Sequence, residues 1–223
     1  NRPQFHFTAR RGWINDPNGL IFHDGLYHLY YQHNPYEREW ENMTWGHATS
    51  PDLLHWTEHD DVLFPDRLGT MYSGSAVFDE ENTSGVGTKK NPPLVYAYTA
   101  DRSEREVQCI AYSLDGGMTL NKYEGNPVIV FEDLPEECSK YDFRDPRIWQ
   151  EEDGTFKDAC VSYSLRKQRE VLHDRNSDNS DGLLAATMIH EEEEGGQILL
   201  FSAQDPCHWR FEKKLAVNGY RLG

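Results

Sequence analysis

The sequence predicts an all-β chain assembled from a repeated unit, and three observations carry that prediction. Apolar residues recur with a period of two, which places alternate side chains on one face of a strand. No long stretch combines helical spacing with end caps. Short motifs also recur in the same order along the chain, the mark of a repeat architecture. Units of roughly sixty to ninety residues, each several strands long, fit a radial array such as a β-propeller. A sandwich is the alternative, because regular short strands alone do not separate the two.

The elements follow in chain order. "GLIF" and "LYHLYY" flank Asp24-Gly25, a dipeptide suited to a tight hairpin. Further strands are expected at "SAVF", "LVYAYT", "VQCIAYS", "RIW", "ACVSYS" and "QILLFS". Asp16-Pro17 is followed eight residues on by Asp24-Gly25, and Asp145-Pro146 by Asp153-Gly154 at the same distance. A second motif comes three times, as "SPDLLHWTE", "SLDGGMTLNKY" and "SAQDPCHWRFE"; the first and last share His-Trp. "YSGSAVF" and "DPRIW" open the second and third units.

The stretch "GWINDPNG", Gly12 to Gly19, reads locally as a turn, since Asp-Pro-Asn-Gly consists of turn formers. The repeat changes its meaning. If Asp16 and Asp145 hold equivalent positions in two units, both face the same axis and form a paired site. The proline after each is expected to hold its aspartate extended.

Composition bounds the function. A chain of 223 residues suits one domain or a large part of one. Hydrophobic content is low at 37%, but six Trp, twelve Tyr and ten Phe build a core from few residues. No run of eighteen apolar residues exists, so no membrane partner is expected. There is no charged-then-apolar leader, so any secretion signal is expected to be removed or absent. Location stays open, with an extracellular setting favoured slightly over a cytoplasmic one. The net charge of −16 argues against nucleic acid or an anionic membrane as partner. Carboxylates are good acceptors for a neutral, hydroxyl-rich ligand.

Two acidic or polar runs are expected outside the strands. Glu191 to Glu194 reads as a solvated loop, and Arg166 to Asp181 as a mobile excursion. Cys109, Cys138, Cys160 and Cys207 lie far apart, and the ten His show no metal-binding grouping. No metal and no cofactor are expected, and the disulfide state is open. Asn42-Met43-Thr44 and Asn82-Thr83-Ser84 match the glycosylation pattern, a short match that chance also produces.

Five motifs together form a recognisable series: "WINDPNG" (Trp13 to Gly19), "YQHNP" (Tyr31 to Pro35), "WGHATSPDLLHW" (Trp45 to Trp56), "YSGSAVF" (Tyr72 to Phe78) and "FRDPRIW" (Phe143 to Trp149). In this order the chain resembles glycoside hydrolase family 32, the β-fructofuranosidases, over almost its whole length. The resemblance implies a five-bladed propeller with the active site in its axial funnel, usually followed by a β-sandwich domain. It implies release of terminal β-D-fructofuranosyl residues from sucrose, inulin or levan by a retaining mechanism. Asp16 matches the nucleophile, and Asp145 the residue that holds fructosyl hydroxyls and stabilises the transition state. Asn15, Gln32, Trp40, Tyr72, Ser73 and Arg144 match positions lining the fructose pocket. The "MYSGSAVFDEENTSG" stretch leans toward exo-inulinases and levanases.

Chemistry agrees with these roles. Cleaving a fructoside creates oxocarbenium-like positive charge, which a carboxylate below the ring can stabilise or capture. Arg144 beside Asp145 favours ionised carboxylates. Trp40 offers an apolar wall, while Asn15 and Gln32 offer oriented hydrogen bonds. The plainer alternatives are a structural ion pair for Arg144 and a core position for Trp40.

One part of the pattern is missing. Retaining glycosidases need a second carboxyl as acid and base, and in this family it is the Glu of a Glu-Cys-Pro motif downstream of Arg-Asp-Pro. The only Glu-Cys here is Glu137-Cys138, which is upstream and followed by Ser139. Glu137 therefore reads as a loop residue, and the final "NGYRLG" resembles the lead-in to the missing motif. Residues 1–223 are accordingly expected to be an incomplete propeller of about three blades, without the C-terminal blades and sandwich. Such an array leaves strand edges open. The alternative function is a catalytically inactive or truncated sugar-binding propeller. Linkage preference and oligomeric state stay open.

Overall fold

Alternating apolar residues become twelve β-strands in a computed structural model, which describes the chain except residues 1, 2, 4, 5, 103, 104, 137, 172–186 and 216–223. Strands β1 (Trp13–His23), β2 (Leu26–Asn34), β3 (Thr44–Ser50) and β4 (Thr57–Glu58) form the first sheet. The second contains β5 (Thr70–Phe78), β6 (Leu94–Asp101), β7 (Glu106–Ser113) and β8 (Asn121–Lys122). The third contains β9 (Cys138–Gln150), β10 (Phe156–Val171), β11 (Thr187–Ala203) and β12 (Arg210–Leu215). Each sheet is an antiparallel meander in chain order, and β5 packs between β1 and β9. Three successive four-stranded blades with neighbouring first strands are a propeller arrangement, not a two-sheet sandwich.

The repeats seen in the sequence occupy equivalent places in the blades. Asp24 (φ 47°) and Gly25 (φ 82°) both adopt the left-handed conformation that a two-residue hairpin between β1 and β2 requires. Asp153-Gly154 turns the chain between β9 and β10. The three Ser-initiated motifs join the third strand of each blade to the fourth. In each, an aspartate accepts backbone N–H groups: Asp52 from His55 at 2.8 Å, Asp115 from Thr119 at 3.0 Å, Asp205 from Cys207 at 2.9 Å. The shared His-Trp has a reason too. His55 and His208 bond the loop aspartate, while Trp56 and Trp209 donate to Leu53 O and Pro206 O.

Aromatic residues fill the space between blades. Tyr30, Trp45, Leu63, Met71, Tyr96 and Tyr98 are fully buried between the first and second blades. Buried hydroxyls need partners, and the Tyr30 hydroxyl lies 2.7 Å from that of Tyr96 and donates to Gly117 O at 2.6 Å. His47 stacks on Tyr30 at 4.5 Å, and burial pushes its pKa down to about 3, so it sits in the core uncharged. Val95, Ala97, Ile110, Ile148 and Phe156 join the second blade to the third.

Four local expectations are corrected, the last in part. "NDPNG" is not a turn but part of β1, whose register shifts between Ile14 and Pro17 and again between Asn18 and Ile21. Irregularities of this kind accommodate turn-forming residues inside a strand. Asp145 is not extended but has φ 60°; a following proline disfavours the right-handed helical region, and Asp tolerates the left-handed one. Glu191 to Glu194 is not a loop but lies in β11, where the register sets Glu191 opposite Lys167 and Glu192 opposite Arg166. Residues Arg166 to Val171 of the expected excursion are likewise strand, while its remainder lies outside the described residues. Glu137 also lies outside them.

Gly19 shows why the first motif tolerates no side chain. It has φ 51°, and a Cβ there would sit 2.8 Å from the Tyr30 ring and 3.3 Å from Trp45 and Tyr96. Gly19→Ala combines overpacking of about 1–3 kcal/mol with a left-handed penalty of about 1–2 kcal/mol. Urea denaturation is expected to show a loss of about 3 kcal/mol. A loss under about 0.5 kcal/mol, the range of neutral surface changes, would contradict this close approach.

Candidate active site

The first strands of the three blades deliver the candidate residues. Asp16 and Asn15 lie on β1, Tyr72 and Ser73 on β5, and Arg144 and Asp145 on β9. Ser73 Oγ donates to Asp16 Oδ2 at 2.7 Å, bridging the first and second blades. Asp145 is exposed to solvent on β9. Desolvation raises its pKa above the ordinary carboxylate value, Asp16 raises it further, and Arg144 opposes both. The charge of Asp16, far away in sequence, is thus felt at Asp145.

The remaining predicted residues surround this pair to different degrees. Asn15 Oδ1 accepts the Trp13 indole N–H at 2.7 Å. Gln32 is buried on β2 and reaches the pair only through Asn18. With its amide set to satisfy both atoms, Asn18 accepts from Gln32 Nε2 at 3.0 Å and donates to Ser73 Oγ at 3.3 Å. Trp40 is 51% exposed, which removes the core alternative, and its ring lies 5.6 Å from that of Tyr72. Desolvation, with Asp101 accepting from its hydroxyl, pushes the Tyr72 pKa up and keeps it protonated.

Arg144 is held on two sides. Its Nε donates to Glu106 Oε1 at 2.8 Å, and its Nη2 donates to the Asp142 carboxylate and to Tyr141 O at 3.1 Å. Nη1 has no hydrogen-bond partner among the described residues. Glu106 is only 2% exposed, and burial lifts it to about 7 against the pull of Arg144. Sequence reasoning missed Asn18, Asp101 and Glu106. For Glu106 a signal was present, since a carboxylate opening the apolar run "EVQCIAYS" must find a partner once buried. A groove of about 470 Å³ lined by Arg10, His33, Glu58, Asp61 and Phe64 contains none of the predicted residues. All four cysteines are buried and free.

Comparison with known proteins follows the same pattern. The N-terminal domain of glycosyl hydrolases family 32 matches residues 6–179. A levanase of Bacillus subtilis (strain 168) is 51% identical over 153 residues, covering 68% of this chain and 22% of the levanase. An extracellular exo-inulinase of Aspergillus niger is 42% identical over 171 residues, covering 68% of this chain and 32% of that enzyme. The structure of a β-fructofuranosidase from Schwanniomyces occidentalis complexed with fructosyl-erythritol superposes with a TM-score of 0.73 at 32% identity. That match covers 97% of this chain and 36% of the other. The chain thus spans about a fifth to a third of the length of the curated relatives it matches.

The raised pKa of Asp145 has a stability consequence with a definite sign. A carboxyl whose pKa is higher folded than unfolded favours the fold at low pH. That contribution is lost as pH rises from the ordinary carboxylate value through the raised one. Asp145→Asn is therefore expected to raise the melting temperature at pH 7, with the gain vanishing below the ordinary carboxylate range. Thermal melts across pH check it. An equal change at every pH would contradict the raised pKa of Asp145.

Proposed function

Because the chain belongs to glycosyl hydrolase family 32, we propose that it is the N-terminal part of the catalytic propeller of a β-fructofuranosidase. Its substrates are sucrose or fructans of the inulin and levan type, and its setting is extracellular. The observation that carries this reading is the exposed Asp16 carboxylate, held by Ser73 of the second blade at 2.7 Å, whose charge is felt at the exposed Asp145 of the third blade. The levanase and exo-inulinase relatives support the substrate class.

The chemistry proceeds from the carboxylates. Ser73 holds Oδ2 of Asp16 and leaves Oδ1 to attack the anomeric carbon of the terminal fructosyl unit. As the bond to the leaving oxygen breaks, positive charge develops on the sugar ring, and both carboxylates stabilise it. Asp145 accepts fructosyl hydroxyls in bonds that tighten as the ring flattens. Arg144 reaches the sugar through Nη1, and Trp40 with Tyr72 forms the apolar wall. Asn15 and Gln32 orient the remaining hydroxyls. A glutamate of a Glu-Cys-Pro motif, which the sequence through Gly223 does not contain, protonates the leaving oxygen and then activates water. Without that acid the three blades bind sugar but do not turn it over, which is the second reading.

Two substitutions in the protein carrying this chain test the assignment. Asp16→Asn replaces the nucleophile with a neutral amide, and fructose release from sucrose and inulin is expected to fall by about 10⁴-fold or more, the scale of nucleophile loss. Retention of a tenth of wild-type turnover would overturn Asp16 as nucleophile. Asp145→Asn is expected to lower kcat more than it raises KM, since its bonds strengthen in the transition state. A rise in KM alone would make Asp145 a ground-state binder.

A further inference from the structure

Phe143, two residues before Asp145, is held by side chains from a different blade. Glu106 and Gln108 both stand on β7, the third strand of the second blade, and both are buried. They reach the two peptides that flank Phe143 of β9, one from each side. Glu106 Oε2 accepts the Phe143 N–H at 2.6 Å, and Gln108 Nε2 donates to Phe143 O at 2.7 Å. The other ends of both side chains are also committed. Glu106 Oε1 takes Arg144 Nε at 2.8 Å, while Gln108 Oε1 accepts the Thr99 hydroxyl at 2.9 Å.

We infer that Glu106 and Gln108 form a positioning clamp that sets the Arg144 guanidinium and the strained Asp145 backbone for the fructosyl group. This inference rests on the function proposed above. A single bond at Phe143 would leave the strand free to pivot about it. Bonds to both N–H and C=O of one residue fix the peptide on either side, two positions before Asp145 at φ 60°. Left-handed conformations of non-glycine residues persist only where surrounding contacts over-determine them. The clamp supplies such contacts. It also decides which guanidinium nitrogen meets substrate, because Glu106 occupies Nε while Asp142 and Tyr141 occupy Nη2. Neither clamp residue lies on the strands that carry the candidate catalytic aspartates, so neither is a catalytic residue. The charged and titratable groups around it are Arg144, Asp142, Asp101 and Tyr72.

The test uses Glu106→Gln and Gln108→Leu in the protein carrying this chain, with three readouts. The first is the melting temperature. The second is kcat and KM for sucrose. The third is hydrogen exchange at the Arg144 Nε–H by NMR. Glu106→Gln preserves shape but sets an amide donor against the Phe143 or Arg144 N–H. It is expected to lower kcat by about 10²-fold, the cost of misplacing a group by about 1 Å. KM should change less than kcat, and the Arg144 Nε–H should lose protection while the cooperative melt is kept. Gln108→Leu should lower kcat in the same direction with Arg144 Nε–H protection retained, because its bond is to the backbone. Wild-type kcat in Glu106→Gln, or a loss of rate that only tracks unfolded protein, would overturn the clamp. Should the wild-type protein hydrolyse no fructoside, the proposed function fails, and the exchange measurement still decides the clamp. Undiminished protection of Arg144 Nε–H in Glu106→Gln would overturn it.

Discussion

The structure depends on how the first strand of each blade satisfies its inner edge. Strands β1, β5 and β9 pack side by side but share no hydrogen-bond ladder, so polar side chains must take up the buried backbone groups between them. Ser75 on β5 does this for the third blade. Its hydroxyl donates to Pro146 O and accepts the Ile148 N–H, each at 2.8 Å. Ser73, which lies at the register shift between Met71 and Gly74, reaches Asp16 instead. One strand thus ties its neighbours together from its centre. Its two serines bond Asp16 on one side and the residue after Asp145 on the other.

Bringing these groups together has an electrostatic cost. Glu106 and Asp142 pair with Arg144, while desolvation raises the pKa of Asp145 and of Glu106, with Asp16 and Asp101 respectively adding to the rise and Arg144 opposing it. Add the left-handed backbone at Asp145, and this region concentrates unfavourable terms that the aromatic packing between blades offsets. Strain and like charge of this kind are typical of sites shaped for a reaction rather than for stability. The same negative charge suits a transition state that carries positive charge.

Much of the fold was legible because local chemistry and repeat position agree. Asp24-Gly25 reads as a hairpin since only such residues accept two left-handed conformations in a row. The three Ser-initiated loops were visible as a repeat because a carboxylate buckles each one. Strand β3 went unrecognised as a strand because all seven of its residues are buried, which erases alternation. The "NDPNG" stretch misled in the opposite way: its composition says turn, but bulges keep it within β1. The matched spacing after Asp16 and Asp145 is visible in the sequence, yet Asn18 and the Glu106–Gln108 clamp were not legible. Their roles arise from contacts across blades, between positions 35 or more residues apart, and no local pattern encodes such contacts.

The central claim is that Asp16 attacks the fructosyl carbon from β1. Rapid acid quenching of the active protein with inulin, followed by peptide mapping by mass spectrometry, addresses it directly. A covalent fructosyl group should be found on a peptide from Trp13–His23 and should vanish in Asp16→Asn. An adduct on any other carboxylate, or no adduct together with inversion at the anomeric carbon of the released fructose, would contradict the account.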